Sequence, residues 1–468
     1  MSTAMEKNLT GAVKRMPTVN TGDEAVKTSE AAPRFAPRQA KPFDQKELFQ
    51  YKVPDFTPQD LLSAIPSHCF ERSTFKSSLY LLADFAMVAA LVYAATWIDT
   101  LSTYVHFSTS FASESAVQTA VRYTLWTLYS FTQGLVFTGI WVIAHECGHR
   151  AFSPSKDVNN TVGWFLHSAL LVPYHSWRIS HARHHAGTGH MTRDEVFVPR
   201  TREHQGKLPL CPAGDDKTME NVQANASFGE RVAELLEDAP LFNFLELLIQ
   251  QLVGWPLYLL FNVSGQMHFP KGTNHFNPDS VIFDKRHRGQ VMVSNLGIGL
   301  TLSALCAWAY FSPGGWEEVA KYYIVPYLWT NNWLVMITYL QHTDPLVPHY
   351  DASVWTFPRG ALCTVDRNWL GPVGPWLLHG ISETHVVHHV CSKIPHYHAW
   401  EASQALQKRI GVHYMKSNEN VLVSLWKTIR GCRFVEKEPV AFYRNSNGVP
   451  KSTAVFPSKE DSGVSYTE

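Results

Sequence analysis

Four nearly uncharged apolar stretches, residues 79–98, 123–144, 291–311 and 322–340, constrain this 468-residue chain more than any other feature. A helix rises about 1.5 Å per residue, so roughly 20 residues cross a hydrocarbon core of about 30 Å. Inside that core a backbone N–H or C=O has no water to bond, which leaves helices as the economical way across. The expected fold is therefore all-α integral membrane: four transmembrane helices in two hairpins, with a cytosolic helical cap. Length alone would instead suggest several soluble domains. The polar segment 1–54 reads as a disordered cytosolic tail without a cleavable signal, 55–443 as the membrane domain and 444–468 as a flexible C-terminal tail.

Charge sets the orientation. Forty Lys and Arg balance forty Asp and Glu, which argues against a strongly basic nucleic-acid binder. The 99–122 connection has no Lys or Arg before Arg122, and 312–321 has only Lys321 beside Glu317 and Glu318. Between the hairpins, Arg150, Lys156, Arg178, Arg183, Arg193, Arg200, Arg202, Lys285, Arg286 and Arg288 accumulate, so the positive-inside rule places this segment and both termini in the cytosol. Two further apolar stretches, 161–174 and 244–261, read as helices lying in the interface, the first too short to span and the second interrupted by Glu246, Gln250, Gln251 and Gly254-Trp255-Pro256. Seven scattered cysteines with no Cys-x-x-Cys pair fit a reduced, cytosol-facing protein.

Eight of the 23 histidines fall in three clusters: His145 and His149; His181, His184 and His185; His385, His388 and His389. On a helix, residues i and i+4 share a face and i+3 is turned away by about 100° relative to its successor, so each trio can address one metal with a pair and a second metal with the remaining ring. A complete hairpin separates the third cluster from the other two, so all three emerge on one membrane face and form one site. Neutral imidazoles with almost no thiolate or carboxylate suit two first-row transition-metal ions such as iron, zinc or copper, and argue against calcium or magnesium.

His145-Glu146-Cys147-Gly148-His149, His181-Ala182-Arg183-His184-His185 and His385-Val386-Val387-His388-His389 resemble the three histidine boxes of the membrane-bound fatty-acid desaturases. Val172-Pro173-Tyr174-His175-Ser176-Trp177-Arg178 and Gly189-His190-Met191-Thr192-Arg193-Asp194-Glu195 are similar to the oleate Δ12 (ω-6) subgroup, especially its fungal members. Tyr339-Leu340-Gln341-His342-Thr343-Asp344-Pro345 and Pro395-His396-Tyr397-His398-Ala399 extend the similarity, which covers roughly residues 55 to 443.

The resemblance implies a di-iron enzyme of the endoplasmic reticulum membrane with a cytosolic active site. Such an enzyme uses O2 and two electrons to place a cis double bond in a phospholipid-linked acyl chain, here converting oleate to linoleate. It also implies a further nitrogen ligand, for which His342 is best placed. Val387 stands where many relatives carry Ala. Fused electron donors carry His-Pro-Gly-Gly; this chain has only Ser312-Pro313-Gly314-Gly315, so separate cytochrome b5 and its NADH-dependent reductase are the expected partners.

Metal-bound histidines need acceptors for their second N–H, and Glu146, Asp194, Glu195 and Glu383 are candidates. Asp84 is a carboxylate inside the first span, where it needs a partner or a cavity. Within the family, a Δ15 (ω-3) or bifunctional desaturase and an oleate 12-hydroxylase share these boxes. Outside it, His145-Glu146-Cys147-Gly148-His149 also fits the H-E-x-x-H pattern of zinc proteases, with Asn277-Pro278-Asp279 as a distal carboxylate; that reading strands six clustered histidines. A metal transporter would place its ligands within the spans.

Overall fold

The computed structural model describes residues 36–368 and 370–457. Its long helices are α1 (Thr74–Ala95), α2 (Glu114–Gly148), α3 (Lys156–Ala169), α4 (Tyr174–Gly187), α5 (Pro240–Phe261), α6 (Arg288–Phe311) and α7 (Val325–His342). The short helix α8 (His385–Val390) and α9 (His396–Ile410) follow. Local signals set several starts: Ser73, Ser113 and Ser155 each accept the N–H of the residue three positions on, satisfying a donor that the first helical turn leaves free.

By length and composition, four helical segments are able to cross a membrane: Thr74–Thr103, Glu114–Gly148, Pro240–Phe261 and Lys285–Phe311. Three contain expected spans. The fourth differs, because 322–340 falls in the π-turn Ala320–Ile324 and in α7, where Asn331, Asn332, Gln341 and several Tyr and Trp dilute the apolar character. In α5 the Glu and Gln that suggested an interfacial helix are outweighed by runs of Leu and Phe.

Contacts order the helices. α2 is the central one, packing on α1, α3 and α7. Its N-terminal end meets the far ends of both connections: Asp99 Oδ1 accepts from Arg122 at 2.8 Å and from the Trp126 indole at 2.8 Å, and Lys321 Nζ lies 3.9 Å from Asp99 Oδ2. At the opposite end, Thr74 meets Ser153 at 2.6 Å and the Ser73 N–H donates to the Tyr397 hydroxyl at 2.8 Å. α5 is held at both ends by one pair of segments: Arg433 reaches Glu246 at 3.0 Å, Arg200 reaches the Val263 carbonyl at 2.6 Å, and the Val435 N–H donates to the Arg200 carbonyl at 3.0 Å. Its exposed Leu241, Phe244, Leu248, Ile249 and Leu252 form an apolar face directed away from the protein.

Segments of both expected tails meet: Phe49–Lys52 pairs in parallel with Ser452–Val455, and Tyr51 and Val53 are buried beside Tyr350 and Phe442. The pairing joins residues about 400 apart, a contact that local composition does not encode. Residues 1–35 and 458–468 lie outside the described residues. Asp84, buried in α1, has the partner its position demands: His379, at 2.8 Å, held in a left-handed backbone conformation at φ 52°.

Candidate metal centre

All three boxes and His342 converge at one end of the bundle. The C-terminal turn of α2 carries His145 and His149, α4 carries the second box, α8 the third, and the last residue of α7 is His342. Within each box the i, i+4 pair faces inward, with Nε2 atoms 3.2 Å apart for His145 and His149, 3.2 Å for His181 and His185, and 3.1 Å for His385 and His389.

The i+3 members go the other way, and this divides the nine rings into two groups. His145, His149, His181, His185 and His388 place one nitrogen each within 4.8 Å of one another, as do His184, His342 and His389. His385 joins the second group, its Nε2 3.1 Å from those of His342 and His389. The groups touch where His185 stacks on His389, ring centroids 4.2 Å apart.

This arrangement fits cations. Burial pushes His181, His185, His388 and His389 well below the usual imidazole range, so these rings are neutral and each offers a lone pair. Ring nitrogens 3.1–3.4 Å apart either share one N–H between them or, with both lone pairs turned inward, accommodate a cation. The His388 Nε2 is buried with no hydrogen-bond partner, the state of an atom aimed at a metal.

Of the four candidate carboxylates, Asp194 takes the orienting position: its Oδ1 accepts from His184 Nδ1–H at 2.6 Å and from the Val196 N–H at 3.2 Å, and its Oδ2 accepts from the Gly189 N–H at 2.9 Å. Glu146 instead accepts from the His396 N–H at 3.1 Å. Glu195 lies 3.7 Å from Arg183, and Glu383, pushed up to about 7 by burial, has no hydrogen-bond partner on either oxygen. Thr188, adjacent to the second box, meets His389 Nδ1 at 3.1 Å; nothing in the sequence pattern singled it out.

An apolar cavity of about 250 Å³ runs between α2, α5 and α7 and ends on both groups. Trp141, Val142, Gly254, Trp255, Leu334 and Val335 wall it, and His145, His181, His184, His342 and His385 close it. Trp177 stacks on His181 at 4.4 Å and fixes one corner. The sequence offered no signal for these walls, since they are ordinary helix positions until three helices bring them together.

The fatty acid desaturase family matches residues 123–419, more than half of the chain and a region holding all nine histidines. A Delta(12) fatty acid desaturase of Mortierella alpina is 44% identical over 91% of this chain and 99% of its own length. An oleate hydroxylase of Claviceps purpurea is 41% identical over 85% of this chain and 82% of its own, and a Delta(12)-fatty-acid desaturase of Arabidopsis thaliana 39% identical over 84% and 92%. The chain belongs to the fatty acid desaturase family.

Proposed function

We propose that this protein is an acyl-lipid Δ12 desaturase that converts lipid-linked oleate to linoleate, using two iron ions held by its nine clustered histidines. The observation that carries the reading is the apolar cavity closed by histidines of both groups, in a chain 44% identical to a Delta(12) desaturase. His145, His149, His181, His185 and His388 would hold one iron and His184, His342, His385 and His389 the other. When bound, the pair supplies what side chains lack, activation of O2 to an oxidant able to remove hydrogen from an unactivated methylene.

The protein's own residues position and exclude. Asp194 fixes the His184 tautomer, Thr188 meets the second ring nitrogen of His389, and the indoles of Trp141 and Trp177 keep the approach dry. The cavity walls confine the chain so that one methylene pair meets the centre. Glu146 is 3% exposed and does not line the cavity, and Asp279 is a surface residue paired with Arg288, which weighs against the zinc protease alternative.

Two hairpins, α1 with α2 and α6 with α7, account for the Asp99, Arg122 and Lys321 cluster at one end and the histidines at the other. α5, held at both ends by segments flanking the site, then lies in the interface with its apolar face in lipid. The reading places the protein in the endoplasmic reticulum membrane with the irons on the cytosolic side, receiving electrons from cytochrome b5 and its NADH-dependent reductase. Microsomes carrying the protein should form linoleate from phospholipid-linked oleate only with both O2 and NADH. Product formation with NADH withheld, or without O2, would reject the oxidative reading.

A further inference from the structure

Away from the nine histidines, a second set of metal-type donors comes together from two elements. His68 and Cys69 lie on the 3₁₀ turn Ser67–Phe70 just before α1, and His398 and Glu401 lie three apart on α9, sharing a face. One donor atom of each lies within 4.8 Å of the other three. His68 Nε2 is 2.9 Å from Glu401 Oε2 and 3.8 Å from Cys69 Sγ, and the His68 and His398 rings are 5.7 Å apart. Cys69 closes the inner side, fully buried, while His68 and Glu401 are half exposed and leave the outer side open to solvent.

We propose that His68, Cys69, His398 and Glu401 form a tetrahedral site for a divalent transition metal of zinc's class. The donor set is one thiolate, two imidazoles and one carboxylate, each a donor type that a borderline-soft ion of tetrahedral preference accepts. Bond lengths of about 2.3 Å to sulfur and about 2.0 Å to nitrogen place a tetrahedral S···N edge near 3.5 Å, close to the separation present between Cys69 and His68. Binding releases the Cys69 thiol proton to solvent. The ion would staple the turn that feeds α1 into the membrane to the helix that follows the third box. It is a structural site, independent of the proposed reaction.

The test uses the full-length protein in detergent micelles with its iron centre loaded, titrated with cobalt(II). No cysteine belongs to the nine-histidine centre, so a thiolate-to-cobalt charge-transfer band in the near ultraviolet comes from outside it, and its loss in Cys69→Ser assigns it to this site. The band should saturate at one equivalent, be displaced by zinc, vanish in Cys69→Ser and persist in Cys391→Ser. Glu401→Gln, a half-exposed change that leaves the core untouched, should weaken cobalt binding at least tenfold, as should His398→Ala. Absence of the band in the unaltered protein, its survival in Cys69→Ser, or unchanged affinity in both Glu401→Gln and His398→Ala would overturn the site and leave an ordinary His68 to Glu401 ion pair.

Discussion

Asp194→Asn probes how the centre is held. Every partner of this carboxylate is a donor: His184 Nδ1–H and the Val196 N–H on one oxygen, the Gly189 N–H on the other. An amide has a single acceptor oxygen. If it keeps His184 and Val196, its NH2 faces the Gly189 N–H, and one buried donor is left unsatisfied at a cost of about 1–3 kcal/mol. Losing the charge weakens the His184 hydrogen bond by roughly 1 kcal/mol more. The unsatisfied Gly189 donor lowers folding stability with or without metal, so metal affinity at the group containing His184 falls through the weakened and less well oriented His184 bond, by about 10- to 100-fold. Iron per chain, measured by plasma mass spectrometry on purified protein after dialysis against a graded chelator, should show one ion leaving at far lower chelator concentration than the other. Two ions retained as tightly as in the unaltered protein would refute the orienting role of Asp194.

Further outcomes follow from the same geometry. His388→Ala and His342→Ala, which strike different groups, should each abolish turnover while membrane insertion, assayed by alkaline extraction, stays normal; near-normal turnover would remove that residue from the centre. Gly254 lines the cavity, where an added Cβ would lie 3.5 Å from Val335, so Gly254→Phe should fill it and block oleate turnover with iron content unchanged, and turnover at the normal rate would mean the acyl chain lies elsewhere. Burial pushes Asp366 from 3.8 up to about 7. The folded state therefore holds this proton more tightly than the unfolded chain, and the stability it contributes is complete below about pH 4 and lost as pH rises through about 7. Asp366→Asn should flatten the fall in melting temperature across that window, and an unchanged slope would assign the fall to other groups. The sequons at Asn8, Asn159, Asn225 and Asn262 lie on the cytosolic side of the proposed topology, and Asn159 is also buried, its amide bonded to the carbonyls of Ser153 and Ser155. No N-glycan should be present; an endoglycosidase-sensitive glycan mapped to Asn225 or Asn262 would reverse the orientation.

The site was more legible than its surroundings because helix geometry ties azimuth to spacing. Once His181, His184 and His185 lie on a helix, the pair and its odd member must diverge, and a second trio of the same spacing at His385 diverges likewise. Adding His342 required only that α7 end at the same face. Which group each odd member joins was not readable, since it depends on how α4 and α8 are rotated against each other. Asp194 was one candidate carboxylate among four, and its selection follows from a turn at Gly189 that brings the chain back over α4. The least legible features join distant residues: Asp84 with His379, and Phe49–Lys52 with Ser452–Val455. α5 and α7 show the limit of hydropathy, because the helix richer in Leu and Phe is tied at both ends to Arg433 and Arg200, whereas most of α7, with its buried Asn331, packs inside the bundle.

Oleate Δ12 desaturation is measured most directly in the fatty-acid profile of a yeast that makes oleate but no linoleate, carrying this protein and read as methyl esters by gas chromatography and mass spectrometry. The main new product should be cis-9,cis-12 octadecadienoate, drawn chiefly from phospholipid. Ricinoleate as the main product would make the protein a hydroxylase and ω-3 acids would move it to the Δ15 branch, while unchanged C18 lipids despite good expression would contradict acyl-chain desaturation altogether.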